Sequence, residues 1–171
     1  LRLLGTGNFI DHLYFEADGS TLSYAGLVDR YFEHNRSAGD DYVIGFGGGV
    51  VSTLGGNDTL LGRNGDVLIG GTGSDVYRYY GDLGAITISD DGRASDNDVL
   101  VLDFGDVTDY GRFERAANGQ DLYIFRSADG YLVDVLLKDF FLGADKTVER
   151  IQFADAPEWA SRNEIIAHSV A

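Results

Sequence analysis

A single nonapeptide constrains the fold of this chain more than any other stretch: Gly70-Gly71-Thr72-Gly73-Ser74-Asp75-Val76-Tyr77-Arg78. It matches the pattern G-G-x-G-x-D-x-U-x, where U is a large apolar residue, at every defined position. Three weaker copies precede it, each with an aspartate two residues before an apolar side chain: Asp41 and Val43, Asp58 and Leu60, Asp66 and Leu68. Steps of 8 and 9 residues lead from Asp58 to Asp66 and on to Asp75, so the pattern indicates a structural repeat rather than isolated turns.

Each copy joins a glycine-rich turn to a very short strand. Glycine adopts the positive φ angles of tight turns without the steric cost of a Cβ. It also leaves backbone carbonyl oxygens uncovered, and together with the short aspartate side chain these are the oxygen ligands that a hard cation prefers. The residue two positions after each aspartate is expected to point into the core, which predicts six inward positions: Val43, Ser52, Leu60, Leu68, Tyr77 and Ile88.

The nonapeptide resembles the calcium-binding repeat of the RTX (repeats-in-toxin) haemolysin-type family. The resemblance implies a parallel β-roll, or β-helix, in which turns two repeats apart stack on one edge and Ca²⁺ lies between stacked turns. On this register one edge carries Asp41, Asp58 and Asp75, which predicts one ion on each side of Asp58. The opposite edge carries Val50, Asp66 and Ile86, and is expected to be largely free of metal.

The metal ligands that the resemblance implies are aspartates and the glycines of their turns. Carried on to this sequence, they are Asp75, Asp58 and Asp41 with Gly70, Gly71, Gly73, Gly56 and Gly39, and on the opposite edge Asp66. Each aspartate taken alone has an alternative role, because Gly-Asp and Asn-Asp pairs are common in ordinary β-turns that bind no metal.

The second half of the chain changes to longer strands, predicted at 99–104, 121–126, 131–138 and 151–153, and ends in a helix. Ser161 and Glu164 form a capping-box pattern at the start of that helix. Two of its segments, Leu137-Lys138-Asp139-Phe140-Phe141 and Glu149-Arg150-Ile151-Gln152-Phe153, resemble the haemolysin-type calcium-binding-related domain, which closes RTX rolls. A roll needs such a cap, because its last turn leaves unpaired backbone groups and an open core.

The sequence therefore predicts an all-β fold with small terminal helices, in three pieces. Residues 1–36 are expected to form a flanking strand–turn–helix, with its helix at 24–34. Residues 37–92 are expected to form the calcium-binding parallel β-roll, and residues 93–171 the β-rich cap that ends in a helix. No apolar run reaches the ~18 residues of a transmembrane segment.

Charge narrows the range of partners. Acidic residues outnumber basic ones 28 to 13, giving a net charge of −15, and 22 of the 28 acids are aspartate, whose short side chain suits ligand turns. Nucleic acid and anionic membranes require clustered lysine and arginine, so neither is expected to bind. Repulsion among the carboxylates is expected to destabilise the calcium-free chain, which predicts folding on calcium binding.

The sequence thus favours a non-catalytic calcium-binding module of a secreted bacterial protein. The family resemblance implies a longer, toxin-related parent protein, export by type I secretion machinery, and an extracellular or cell-surface location where calcium triggers folding. The alternative is a structural or adhesive β-solenoid whose calcium sites have largely decayed, which Val50 and Ile86 favour. An enzyme is not supported, since the chain has no cysteine, no histidine cluster, no nucleophile elbow and no phosphate loop.

Overall fold

Short strands joined by glycine-rich turns make up most of the structure, which is a computed structural model. It describes residues 2–4, 12–81, 84–93, 95–103, 112–125, 133–146, 148–153 and 159–169. The described residues are mostly β structure with two short α-helices, and this confirms the all-β class. The chain divides into two units, Leu1–Asn35 and Arg36–Ala171. No helix among these residues is long and apolar enough to cross a membrane.

The first unit is a three-stranded antiparallel sheet followed by a helix. Its strands are β1 (Arg2–Leu4), β2 (His12–Phe15) and β3 (Ser20–Ser23), in the order β1-β2-β3. Helix α1 (Tyr24–Asn35) begins where Ser23 Oγ accepts the N–H of Gly26 at 3.1 Å. The cap satisfies a donor that the first helical turn leaves free, and α1 confirms the predicted helix at 24–34.

The second unit contains two six-stranded sheets. One, which we call the β8 sheet, comprises β4 (Tyr42–Ile44), β6 (Thr59–Leu61), β8 (Val76–Tyr79), β10 (Val99–Leu102), β14 (Arg150–Phe153) and β15 (Trp159–Ser161). The other, the β9 sheet, comprises β5 (Val50–Ser52), β7 (Val67–Ile69), β9 (Ile86–Ile88), β13 (Val133–Leu137), β12 (Leu122–Phe125) and β11 (Arg112–Arg115). From β4 to β10 successive strands alternate between the two sheets, and each strand from β4 to β8 pairs in parallel with the strand two places later.

Two columns of apolar side chains fill the core of this unit. Because side chains alternate in direction along a strand and parallel strands pair at matching positions, one residue from each strand stacks on the inward face. In the β8 sheet the buried column is Val43, Leu60, Tyr77, Leu100 and Ile151. In the β9 sheet it is Val51, Leu68, Ile88 and Leu137.

The inward residue of β5 is Val51, so the prediction of Ser52 is wrong. β5 pairs with β7 at an offset of 17 residues, which is also the offset between β4 and β6. That pairing sets Val51 opposite Leu68 and leaves Ser52 half-buried. It also sets Gly49, rather than the predicted Val50, beside Asp66. A step of nine residues from Val43 reaches Ser52, but the turn between β4 and β5 is one residue shorter than that step assumes, so the inward residue is Val51.

The C-terminal strands continue both sheets. β13 pairs in parallel with β9 and antiparallel with β12, and β14 pairs in parallel with β10 and antiparallel with β15. Helix α2 (Arg162–His168) follows β15, and Ser161 and Glu164 form the predicted capping box. Strands β10, β12, β13 and β14 confirm the four later strands, but Asp103, Asp121 and Lys138, which the predicted ranges include, lie just outside them; positions 104, 126, 131 and 132 of those ranges lie outside the described residues.

Candidate metal centre

A column of acidic residues runs along one end of the β8 sheet. Each acid directly precedes a strand: Asp41 before β4, Asp58 before β6, Asp75 before β8, Asp98 before β10 and Glu149 before β14. Because these strands pair in parallel, the residues before them lie beside one another in adjacent turns. We call these five residues the acidic column.

Hydrogen bonds connect successive members of the acidic column. The backbone N–H of Asp41 donates to Asp58 Oδ1 at 2.8 Å, and that of Asp58 donates to Asp75 Oδ1 at 2.8 Å. The N–H of Asp75 donates to Asp98 Oδ1 at 2.7 Å, and that of Asp98 donates to Glu149 Oε2 at 2.6 Å. Every acid after Asp41 thereby commits one oxygen to a backbone donor and keeps the other for a different partner.

The second oxygen is buried without a partner in three members of the column. Within the part of the chain that the structure describes, Asp58 Oδ2, Asp75 Oδ2 and Glu149 Oε1 accept no hydrogen bond. A buried carboxylate oxygen in this state costs free energy, because it has lost its water without replacement. The column therefore favours added positive charge, supplied either by protons or by a cation.

Burial makes the column hold protons more tightly than carboxylates in water. It raises the pKa of Asp75 to about 7 and that of Asp98 to about 8, and the neighbouring charges of Asp58 and Asp90, respectively, add to the effect. Burial likewise raises the pKa of Glu149 to about 7. A buried negative charge is poorly solvated, so the protonated form gains relative to the charged one.

Asp90 joins two members of the column to form a cluster of buried aspartates. One carboxylate oxygen from each of Asp75, Asp90 and Asp98 lies within 4.8 Å of the others, and the three residues are 0 %, 5 % and 2 % exposed. Carboxylates this close repel one another strongly where solvent does not screen them. This three-aspartate cluster can hold a metal ion, whose charge would offset the repulsion.

Asp90 reaches the cluster from the turn that follows β9. Its Oδ1 accepts the N–H of Gly92 at 2.8 Å, and its Oδ2 accepts the hydroxyl of Tyr77 at 2.9 Å. The same Tyr77 hydroxyl accepts the N–H of Gly70 at 2.8 Å. Burial raises the pKa of Tyr77 well above its ordinary range, so the hydroxyl keeps the proton that it donates to Asp90.

Gly70 and Gly71 leave room beside the cluster and between stacked turns. A Cβ at position 70 would overlap Asp75 Oδ2 and would lie 2.5 Å from the Tyr77 hydroxyl oxygen. A Cβ at position 71 would lie 2.7 Å from the carbonyl oxygen of Leu54 in the preceding turn. Both glycines are therefore needed for packing, and their role as metal ligands stays a prediction.

Three glycines 17 residues apart stack on one another: Gly39, Gly56 and Gly73. A Cβ on Gly56 would lie 2.7 Å from the carbonyl oxygen of Gly39, and a Cβ on Gly73 would overlap the carbonyl oxygen of Gly56. The recurrence of glycine thus follows from the close approach of one turn to the next. Cation binding by these carbonyl oxygens stays a prediction.

Asp66 lies at the opposite end of the strands, where backbone donors already satisfy its carboxylate. Its Oδ1 accepts the N–H groups of Gly47 and Gly49, both at 3.0 Å, and its Oδ2 accepts the N–H of Arg63 at 2.9 Å. A carboxylate with three backbone donors is well stabilised without a metal. The geometry therefore favours a turn-forming role for Asp66 over the predicted ligand role.

Asp41 and Asp58 lie in turns that are closed by hydroxyl groups. Asp41 Oδ2 accepts the N–H of Ser37 at 2.5 Å and its hydroxyl at 3.0 Å. The buried Thr53 hydroxyl donates to the carbonyl oxygen of Gly70 at 2.6 Å, and burial raises the pKa of Asp58. The Ser37 hydroxyl contacts Asp41 Oδ2 and the Thr53 hydroxyl contacts the Gly70 carbonyl oxygen, two oxygens that cations beside Asp58 would use, so the geometry favours the three-aspartate cluster over the two predicted positions.

The residues that sequence reasoning missed are Asp90, Asp98, Glu149 and the hydroxyls of Thr53 and Tyr77. A signal for two of them exists. Asp98 and Glu149 each stand two residues before an inward apolar residue, as Asp58 and Asp75 do, but at intervals of 23 and 51 residues instead of 17. Asp90 stands at the position that Gly70, the first glycine of the nonapeptide, occupies in the preceding turn. In the sequence it therefore looks like a departure from the repeat rather than a ligand.

Comparison of the chain with protein-family models gives no match, and comparison with curated proteins gives none either. The resemblance to RTX repeats therefore depends on the motifs quoted above, and the candidate site depends on the geometry of its own residues.

Proposed function

We propose that the chain is a non-catalytic calcium-binding module of a secreted bacterial RTX-type protein, whose repeats form a parallel β-roll that calcium stabilises. The observation that carries this proposal is the three-aspartate cluster, in which Asp75 is fully buried and its Oδ2 has no hydrogen-bond partner among the described residues. Such a cluster is unfavourable in a folded protein unless a cation or protons neutralise it.

Calcium suits the donors of this cluster. All three side chains offer oxygen, and Ca²⁺ takes 6–8 oxygen ligands in flexible geometry, including backbone carbonyls and carboxylates. Zinc and copper prefer nitrogen or sulfur ligands, which the cluster lacks. The stacked glycine turns next to the cluster supply further carbonyl oxygens, as the RTX resemblance implies.

The parallel β-roll is supported by the connectivity of β4 to β10. These strands alternate between two parallel sheets, and those of the β8 sheet from β4 to β8 pair at a constant offset of 17 residues. Glycine-rich turns reverse the chain between them, and inward apolar columns fill the space between the sheets. Strands β11 to β15 would then form the cap that closes the last turn of the roll.

Export and location follow from the same proposal. Type I secretion machinery would transport the chain unfolded at low internal calcium, and calcium outside the cell would fold it as part of a longer protein. A ligand that binds only the folded state adds about 2.7 kcal/mol of stability at a hundredfold excess over Kd. Dissociation constants of ~10⁻⁴ to 10⁻³ M, typical of extracellular calcium modules, would suit this switch.

Asp90→Asn and Asp91→Asn provide a matched test of the metal centre. The two residues are neighbours, but Asp90 belongs to the buried cluster whereas Asp91 is exposed. We expect wild-type chain, freed of metal and titrated with calcium, to gain β structure by circular dichroism and to bind about one ion. Asp90→Asn should raise Kd about tenfold or more, because it removes a charged ligand, while Asp91→Asn should change Kd less than about twofold.

Equilibrium dialysis gives the stoichiometry, and calorimetric titration gives Kd. Equal effects of the two substitutions would show that net charge rather than the cluster attracts calcium. A wild-type chain that binds no calcium and keeps the same spectrum in chelator would contradict the proposed function itself.

Thr53→Gly tests the hypothesis that the Thr53 hydroxyl takes the place of a cation in the turn before β6. Glycine at this position reproduces Gly70 of the next turn and frees the Gly70 carbonyl oxygen, close to the unpaired Asp58 Oδ2. We expect the number of bound calcium ions to rise by about one, because the freed oxygens are ligands that calcium prefers. Thr72→Gly, at an exposed threonine, is the control. An unchanged stoichiometry in Thr53→Gly would mean that the hydroxyl does not occupy a cation position.

A structural or adhesive β-solenoid with decayed calcium sites is the second candidate function. It is favoured by Asp66 and Thr53, whose turns are closed by hydrogen bonds within the protein. On this alternative the chain holds its fold in chelator and the three-aspartate cluster carries protons rather than an ion. The same calcium titration separates the two candidates.

A further inference from the structure

Tyr77 carries a hydroxyl at a position where the core requires only an apolar side chain. It belongs to the inward column of the β8 sheet, whose other members are Val43, Leu60, Leu100 and Ile151. All four are fully buried and none has a polar side-chain atom. The ring of Tyr77 is explained by packing, but its hydroxyl requires a separate explanation.

The hydroxyl of Tyr77 connects the two turns that form the three-aspartate cluster. It accepts the N–H of Gly70 at 2.8 Å, at the start of the turn that ends in Asp75. It donates to Asp90 Oδ2 at 2.9 Å, at the start of the next turn. Hydrogen bonds in such a buried setting are stronger than the same bonds in water, so they fix the groups that they join.

Both oxygens of Asp90 are held by donors, Oδ1 by the N–H of Gly92 and Oδ2 by Tyr77. A carboxylate offers about four lone-pair sites on its two oxygens, so these two hydrogen bonds leave Asp90 able to bind a cation as well. Donors behind a metal ligand orient it, and their removal typically lowers metal affinity about 10- to 100-fold. The arrangement at Asp90 is of this kind.

We propose that Tyr77 is a positioning residue for the cation site, with its hydroxyl holding the carboxylate of Asp90 toward Asp75 and Asp98. The proposal rests on the proposed calcium-binding function and adds to it a residue of the core that does not touch the ion. It also explains why tyrosine stands where the neighbouring strands have aliphatic residues.

Tyr79 provides a matched control within the same strand. It is fully buried, and its hydroxyl donates at 2.8 Å to Asp134 Oδ1, which is not part of the three-aspartate cluster. Tyr77→Phe and Tyr79→Phe each remove one hydroxyl that donates to a buried carboxylate. Because calcium binding is coupled to folding, a purely structural role predicts that both substitutions lower the stability of the folded protein and weaken calcium binding by similar amounts.

Calcium affinity, measured by calorimetric titration of the full chain, is the readout that distinguishes a positioning role. Tyr77→Phe is expected to raise Kd about tenfold more than Tyr79→Phe does, and equal Kd values for the two variants would overturn the positioning role. The same Kd for Tyr77→Phe and wild type would overturn the proposal and leave the calcium-binding function standing. Absence of calcium binding in wild type would overturn both.

Tyr77→Leu is a second variant in case Tyr77→Phe does not fold. Leucine is the residue that β6 and β10 carry at the equivalent position, so it fits the apolar column without a hydroxyl. It is expected to weaken calcium binding as Tyr77→Phe does. Wild-type affinity in either folded variant would contradict a positioning role for the hydroxyl.

Discussion

Gly73→Ala is expected to destabilise the calcium-saturated protein by about 3 kcal/mol or more. Gly73 has a φ angle of +124°, which L-residues with a Cβ rarely adopt. Its added methyl group would overlap the backbone carbonyl oxygen of Gly56, and a backbone atom cannot rotate away as a side chain can. The two turns would have to separate, and the paired strands β6 and β8 begin only three residues after Gly56 and Gly73.

Gly48→Ala is the control for this prediction. Gly48 also has a positive φ angle, +74°, but a Cβ there would meet no atom within 4 Å. It therefore isolates the conformational cost of alanine, about 1–2 kcal/mol, from the cost of separating stacked turns. Urea unfolding of both variants at saturating calcium measures the difference. Equal losses of unfolding free energy would show that the turns do not depend on their close approach.

Sequence reasoning succeeds for this chain where neighbouring residues determine the structure. The capping box of Ser161 and Glu164 lies within one helical turn, and the structure forms it as predicted. The nonapeptide likewise identifies the turn from Gly70 to Asp75, because glycine and aspartate at fixed offsets define the backbone path of a turn. The prediction that Ser52 faces the core is wrong because one residue fewer in a glycine-rich turn reverses which side chains of the next strand point inward.

The rest of the acidic column could not be found by local spacing, because strand pairing brings it together. Asp98 follows Asp75 after 23 residues and Glu149 follows Asp98 after 51, yet both lie in adjacent turns since β8, β10 and β14 pair in parallel. In addition, a residue that replaces a glycine of the repeat pattern counts as a mismatch, so the pattern does not identify it as a possible ligand. Asp90 replaces the first glycine of its turn, and it supplies the third carboxylate of the cluster.

The calcium-free protein is expected to become less stable as the pH rises from 5.5 to 8. The pKa values of Asp75 and Glu149 in the folded chain are raised to about 7 and that of Asp98 to about 8, from ordinary values of 3.8 for aspartate and 4.5 for glutamate. At a pH between the ordinary and the raised pKa values, the folded chain binds more protons than the unfolded chain. Stability is therefore greatest at low pH within this window and is lost as each folded-state group gives up its proton.

The groups that face these acids determine the size of the effect. The negative charges of Asp58 and Asp90 raise the affinity of the column for protons, whereas the positive charge of Arg162 opposes it at Glu149. Because one pKa unit corresponds to about 1.4 kcal/mol, a single group with a folded-state pKa near 7 contributes about 2 kcal/mol across this range. At roughly 2–4 °C per kcal/mol for a chain of this size, the melting temperature should fall by several degrees.

Thermal unfolding of metal-free protein at pH 5.5 and pH 8, followed by circular dichroism, tests this linkage. If the metal-free chain is unfolded at pH 8, the same linkage predicts that acidification to pH 5.5 increases its β structure.

Saturating calcium should remove the dependence of the melting temperature on pH, because an ion at the three-aspartate cluster stabilises the charged carboxylates. Its binding at pH 7 should release protons, measurable in weakly buffered solution. Glu149→Gln keeps an oxygen that can accept the N–H of Asp98 but removes one buried charge, so it should stabilise the metal-free protein at pH 8 and weaken its pH dependence. A melting temperature that does not change with pH, together with calcium binding that releases no proton, would mean that the column is not protonated in the metal-free fold.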